Sequence, residues 1–126
     1  MSARTSALIA AIYGFIGVAC GAMGAHALKA RLSLEGLESW RTAVLYLLLH
    51  ALALLILSIW QRLQPELRLL ARASQLMAIG VALFSLSIFA LVLGGPSWLG
   101  PVTPIGGTLM LVAWVCLAVA AVRSPR

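Results

Sequence analysis

Apolar positions in this chain neither alternate nor recur on one helical face; they run on unbroken in four stretches, Ala7 to Leu28, Thr42 to Trp60, Ala73 to Leu93 and Ile105 to Val122. At 1.5 Å of rise per residue each stretch, coiled as a helix, covers roughly 27–33 Å, which matches the ~30 Å hydrocarbon core of a bilayer. Lipid offers no partner to a free backbone N–H or C=O, so only helices or closed barrels cross it, and these runs lack the polar-in, apolar-out alternation of barrel strands. The pattern predicts an all-α membrane protein: one domain, a four-transmembrane-helix bundle filling residues 1–126.

The connections between the runs differ in character. In the first, Ser33 is an N-cap candidate, and Leu34, Leu37 and Trp40 share a face opposite Glu35, Glu38 and Arg41. The second helix is therefore predicted to start near Leu34, some 10 Å earlier than the hydrocarbon requires, as an interfacial extension with Trp40 anchored among the headgroups. Trp60 and Trp98 are expected as further interfacial anchors. In the second connection, Gln64-Pro65 marks a break, with Pro65 placed to open the third helix and Glu66 in its first turn. The third, Gly94 to Pro104, is punctuated by Gly and Pro and predicts a non-helical segment. Thr103 then reads as the N-cap of the last helix and Pro104 as its first residue, with Gly106 and Gly107 just inside.

Composition sharpens the assignment. With 63% hydrophobic residues, 10% charged and no Asp, the chain carries too little polar surface for a water-soluble domain. Its nine Lys and Arg against three acids would invite nucleic acid in a soluble protein, but here they flank apolar runs, where they orient the chain and meet anionic headgroups. The expected partner is the lipid bilayer rather than nucleic acid. Arg4, Arg62, Arg68, Arg72, Arg123 and Arg126 fall on one side; Lys29, Arg31 and Arg41, partly offset by Glu35 and Glu38, fall on the other. The positive-inside rule then places both termini in the cytoplasm. The first run, with Arg4 ahead of it and Ala25-His26-Ala27 behind, imitates a signal peptide. It is longer than the 7–15 residues of a signal core, so it is expected to remain as the first membrane helix.

Within that run Ala7, Ala10, Gly14, Gly17, Gly21 and Gly24 recur every three or four residues as a smooth stripe. In lipid, where apolar surface drives no association between helices, such stripes mark close backbone approach. The partner is another helix of the same chain, a second copy in a homo-oligomer, or a different membrane protein.

Candidate chemistry is sparse. His26, at the end of the first run, and His50, near the centre of the second and one turn after Tyr46, are the two imidazoles. Ionisable groups inside a membrane invite a functional reading: proton handling, ligand binding or metal coordination. Their structural reading is as neutral hydrogen-bonding glue between helices. Ser85 and Thr103 are further polar candidates. Two histidines without a third ligand make a poor metal site, so no metal is expected. Cys20 and Cys116 have neither CxxC nor Cys/His spacing and read as small packing residues. There is no Ser/His/acid set, no HExxH and no phosphate loop, which argues against an enzyme and against a bound cofactor.

The ordered motifs Gly21-Ala22-Met23-Gly24-Ala25-His26-Ala27-Leu28-Lys29, Trp40 with Thr42-Ala43 and Tyr46, His50-Ala51-Leu52-Ala53-Leu54-Leu55, Leu83-Phe84-Ser85, and Gly100-Pro101-Val102-Thr103-Pro104-Ile105-Gly106-Gly107 with Trp114 resemble the bacterial YgdD/YwdK-like membrane proteins, the domain-of-unknown-function family 423. The resemblance runs from about Ile12 to Leu117. It implies a four-helix bacterial inner-membrane protein of no established activity. Three positions depart from the family's usual pattern: Leu47 where a Gln commonly follows the Tyr, Leu86 where a Gly separates two Ser, and Ala113 where a Gly precedes the Trp. The missing Gln removes a polar group beside His50 and weakens the case for a water-filled path.

Two functional classes follow. One is a non-catalytic accessory, assembly or lipid-contacting component whose polar residues fix packing. The other is a small-solute or proton pathway through His26 and His50. The spans contain no acid and no paired Gly/Pro breaks in corresponding halves, features on which proton-coupled transporters rely.

Overall fold

The computed structural model describes residues 1–126. It contains four long helices, α1 (Ala3–Ala25), α2 (Leu34–Leu63), α3 (Arg68–Val92) and α4 (Val102–Arg123), with a short 3₁₀ turn at Ser97–Leu99 and no strand. Each is long and apolar enough to cross a membrane. The chain is an integral four-helix membrane protein.

The helix ends follow local chemistry. Ser2 caps α1 by accepting from the Thr5 N–H, and Ser33 caps α2 by accepting from Gly36. α1 stops at Ala25, three residues before its apolar run does, because the chain turns back through Ala27 to Leu32 and buries Leu28 in the core. α2 has 30 residues and so spans about 45 Å, longer than the hydrocarbon core. α3 does not open at Pro65. Pro65 occupies the second position of a turn closed by Leu67 N–H donating to the Gln64 carbonyl, a place its fixed φ suits, and the helix starts only at Arg68. α3 ends on Gly94, the one residue with a left-handed φ, where Gly95 N–H reaches the Ala90 carbonyl at 2.7 Å and Gly94 N–H that of Leu91 at 3.1 Å. That paired closure needs a residue without a Cβ at Gly94. α4 starts at Val102, with Pro101 rather than Thr103 in the cap position. The Pro101 φ of −66° already suits a helix start, which frees Thr103 for another helix. The third connection is not wholly irregular, since Ser97–Leu99 makes one 3₁₀ turn.

The arrangement is open rather than ring-shaped. α1 lies on α2, α2 on α3 and α3 on α4, with a limited touch between α1 and α3, while α1 and α4 do not meet. One buried cluster, including Leu54, Leu70, Met77, Ala113 and Ala120, fills the end that carries the termini; a second, including Trp40, Leu47, Val81, Phe89 and Met110, fills the other.

Small residues set the two closest seams. Along α1, a Cβ built on Gly17 would lie 2.5 Å from Leu48 Cδ2 and one on Gly24 would lie 2.7 Å from Trp40 Cδ1, so the stripe seats on α2 of the same chain. Gly21 meets only Val44, at 3.4 Å, and a Cβ on Gly14 would have nothing within 4 Å, so the stripe's glycines make contact from Gly17 onward, while Ala10 in its first half is buried in the core. The tighter seam is between α3 and α4. A Cβ on Gly106 would lie 2.5 Å from the Gly80 carbonyl oxygen and against the Phe84 backbone nitrogen, and one on Gly80 would lie 2.9 Å from both Gly106 O and Met110 N. Gly107, beside it, is only 3.9 Å from Phe84 and does not share that crossing.

Candidate functional site

Polar side chains inside an apolar bundle must find partners or cost several kcal/mol each. Here they join the helices one pair at a time. Trp40 Nε1 donates to the Cys20 carbonyl of α1 at 2.7 Å. Tyr13 Oη donates to the Ala78 carbonyl of α3 at 2.8 Å, and Ser85 Oγ to the Ala43 carbonyl of α2 at 2.8 Å. Ser87 and Thr103 join α3 to α4 through their hydroxyls at 2.6 Å. Ser85 and Thr103 thus act as fasteners between helices.

Trp40 corrects the sequence expectation. It is only 2% exposed, 4.5 Å from Phe89 between ring centroids, and seated on Gly24. Gly24 leaves a hollow the size of an indole edge, and the second lone pair of the Cys20 carbonyl supplies the acceptor, so the ring turns inward. Trp98 is 69% exposed, and Trp60 is partly buried with its N–H toward Gln64 Oε1 at 3.4 Å.

His50 is the centre of the most developed constellation. It is 4% exposed on α2 and faces α4 across a gap that no backbone contact closes. Its Nδ1 lies 2.8 Å from the Tyr46 carbonyl, and Trp114 Nε1 on α4 donates to its Nε2 at 3.2 Å. An indole N–H can only donate, so Nε2 is the acceptor and Nδ1 carries the proton that goes to Tyr46. Both nitrogens are thereby occupied in the neutral ring. Trp114 stands edge-on to the imidazole at 6.0 Å, and Tyr46 stacks on Phe84 at 4.8 Å. Tyr46, His50, Phe84, Thr108, Met110 and Trp114 are among the residues lining a cavity of about 440 Å³ open to the side of the bundle. His26 is no part of it. It caps the C-terminus of α1, exposed, two residues beyond Gly24, whose neighbour Trp40 lies roughly 15 Å before His50 along α2 by helical rise. The structure therefore brings His50 and Tyr46 together and leaves His26 apart.

A second polar group lies where the termini meet, and residue-by-residue reading overlooked it. Gln61, 9% exposed, accepts from Ser6 Oγ at 2.9 Å and donates to the Met1 carbonyl at 2.7 Å. Gln64 Oε1 accepts from Ser124 Oγ at 2.7 Å. Together they tie the start of α1 and the end of α4 to the end of α2. The available signal was two glutamines within four residues after the tryptophan that ends an apolar run, at the level of the chain's N-terminus. No three His, Cys, Asp or Glu side chains gather anywhere in the chain as a metal site would need, and no buried side-chain nitrogen or oxygen lacks a partner.

Such a bundle, with apolar spans pinned by single hydrogen bonds and glycine seams, defines a small multi-pass membrane protein. The chain belongs to the family described as Protein of unknown function (DUF423), whose model matches residues 20–107. It is 34% identical over 116 residues to the UPF0382 membrane protein YwdK of Bacillus subtilis, covering 92% of this chain and 94% of that one. It is likewise 34% identical over 126 residues to the UPF0382 inner membrane protein YgdD of Escherichia coli, covering 100% of this chain and 95% of its relative. A UPF0382 membrane protein of Haemophilus influenzae is 34% identical over 92% of each chain. No solved structure matches.

Proposed function

We propose that this chain is a non-catalytic component of a bacterial inner membrane, an accessory, assembly or lipid-contacting protein, with both termini in the cytoplasm. The observation that carries this reading is the state of the intramembrane polar groups. Each buried one is spent on a neighbouring helix or on its own backbone, and no buried polar atom is left over to receive a solute; the Tyr46 hydroxyl, 40% exposed at the cavity, is the polar group there that no side chain engages. A relay or substrate site keeps a polar group free or in touch with water; His50 has both nitrogens engaged. The inner-membrane placement rests on the relative named for that membrane, and the orientation on the excess of Arg on the terminal side.

The second reading, a small-solute or proton pathway, draws on the side-opening cavity at Tyr46 and His50. Proteoliposomes separate the two. Proton and small-solute flux is measured for the parent and for His50→Gln and His50→Leu, together with their melting temperatures in detergent. Expected are no flux in any variant, near-parental stability for Gln, and a clear loss for Leu, which strands the Trp114 N–H. Parent flux that His50→Gln abolishes without unfolding the protein would replace the first reading by the second.

A further inference from the structure

At the end of the bundle where the termini meet, α3 begins without a cap. Its N-cap residue is Leu67, whose side chain makes no capping hydrogen bond, and the Leu69 N–H has no backbone acceptor. Beside this start lies a cavity of about 340 Å³ between α3 and α4. Its lining includes Arg68, Arg72 and Arg123, with Glu66 as the one acid, and the apolar Leu67, Leu69 and Ala120. On the other side of the same helix start a cavity of about 400 Å³ includes Arg62 and Arg68 and no acid at all. Arg68 stands in the walls of both.

Three independent features converge here. Guanidinium groups offer planar pairs of N–H donors matched to phosphate oxygens, a free helix N-terminus carries partial positive charge and unused N–H groups, and the concave shape places both against one volume. The floor is apolar and the rim basic, which is the chemistry of a phosphate group attached to something greasy. Glu66 weakens the field without cancelling it, since three arginines face it in the same cavity. A cavity at the opposite end of the bundle includes Glu35 and Glu38 and no basic residue.

We infer that the Arg68/Arg72/Arg123 cavity at the start of α3 is a phosphate-binding site, taking the phosphodiester headgroup of an anionic lipid or a free phosphate ion. This rests on the reading of the chain as a lipid-contacting component, and gives that contact a place and a chemistry. All three arginines are exposed, so their removal should leave the fold intact.

The test has a lipid arm and a soluble arm. In the first, the protein in mild detergent is offered equal phosphatidylglycerol and phosphatidylcholine, and retained lipid is counted by native mass spectrometry. In the second, lipid-depleted protein is melted with and without millimolar inorganic phosphate. The parent should prefer phosphatidylglycerol, and each Arg→Gln change at positions 72 and 123 should reduce that preference about five-fold, the worth of one basic residue at an anionic surface. Arg72→Lys should retain most of it. Arg41→Gln, on the other side of the membrane, should retain all of it. Stabilisation by phosphate without lipid preference, lost with Arg72 and Arg123, would keep the site and assign it the soluble ion. No preference in either arm, or equal loss with Arg41→Gln, would overturn the site. Flux in the proteoliposome experiment would instead overturn the non-transporting reading while leaving a measured lipid preference standing.

Discussion

Gly106→Ala tests the α3–α4 seam at its tightest point. The added methyl would stand 2.5 Å from the Gly80 carbonyl oxygen, where ordinary contact begins near 3.4 Å. The obstacles are backbone atoms of α3, which no rotamer change can move aside. Relief therefore needs the helices to part by about 0.9 Å at that level. Ser87 and Thr103 lie about one turn away and are held at 2.6 Å, so the same displacement opens their hydrogen bond. Overpacking of this kind costs about 1–3 kcal/mol, and the hydroxyl pair adds about 0.6 kcal/mol. Alanine returns up to about 1 kcal/mol of helix propensity, less so close to a helix start. The net expectation is a loss of about 1–3 kcal/mol. Gly14→Ala is the control, because nothing lies within 4 Å of its built Cβ; it keeps the propensity gain without the clash. Thermal unfolding in one detergent, followed by circular dichroism, should place Gly106→Ala several degrees below the parent and Gly14→Ala at or above it. If Gly106→Ala melts no lower than Gly14→Ala, the helices do not touch there and the described seam is wrong.

Ser85→Ala removes a fully buried hydroxyl from the Ala43 carbonyl and should cost about 0.6–1.7 kcal/mol in the same melting assay. Trp40→Phe keeps the aromatic contact with Phe89 but loses the bond to Cys20; a loss of about 1 kcal/mol is expected, whereas a headgroup anchor would show none. Gln61→Leu leaves Ser6 without its cross-helix acceptor and should loosen the start of α1, seen as faster amide exchange confined to residues 2–8. In a background without cysteine, a Cys at position 97 should react with a membrane-impermeant maleimide in intact cells. Labelling at position 64 instead would reverse the proposed orientation.

The four spans were legible because each is a continuous apolar run, and no tertiary contact is needed to keep such a run helical in lipid. Ser33 was legible because a cap is decided by residues within one turn of it. What could not be read was anything depending on which helix faces which. Thr103 has the right chemistry for a cap and the right chemistry for a fastener, and only the position of Ser87 on α3 decides between them. Trp40 has the profile of a headgroup anchor until Gly24 and the Cys20 carbonyl offer it an interior seat. Gly80 went unremarked because it stands alone in α3, while the more conspicuous row on α1 drew attention to Gly14, where an added Cβ would meet nothing. An isolated glycine inside an otherwise strong helix carries a cost of about 1 kcal/mol, and that cost was the available sign of a packing role.

The exposed faces of this bundle, read by the rules for water, would be an aggregation hazard: Phe15 is 77% exposed, Leu34 76% and Leu111 69%. In lipid the same faces are simply solvated, and burying them gains little. The shape of the fold is therefore set by its few small and polar residues, which explains why α1 and α4 can remain apart without penalty. It also narrows where function can act. A face of leucine and valine looks like lipid to anything approaching it, so recognition must fall where the chemistry departs from hydrocarbon: the side cavity at His50 and the two charged ends. The ends are unlike each other, with Glu35 and Glu38 around one cavity and Arg68, Arg72 and Arg123 around the other. That asymmetry links orientation to lipid contact, because a site built for an anionic headgroup acts only on the leaflet it faces. Reversed labelling would move the arginine site to the outer leaflet without altering its geometry, so the lipid measurement in detergent and the topology measurement in cells can fail independently.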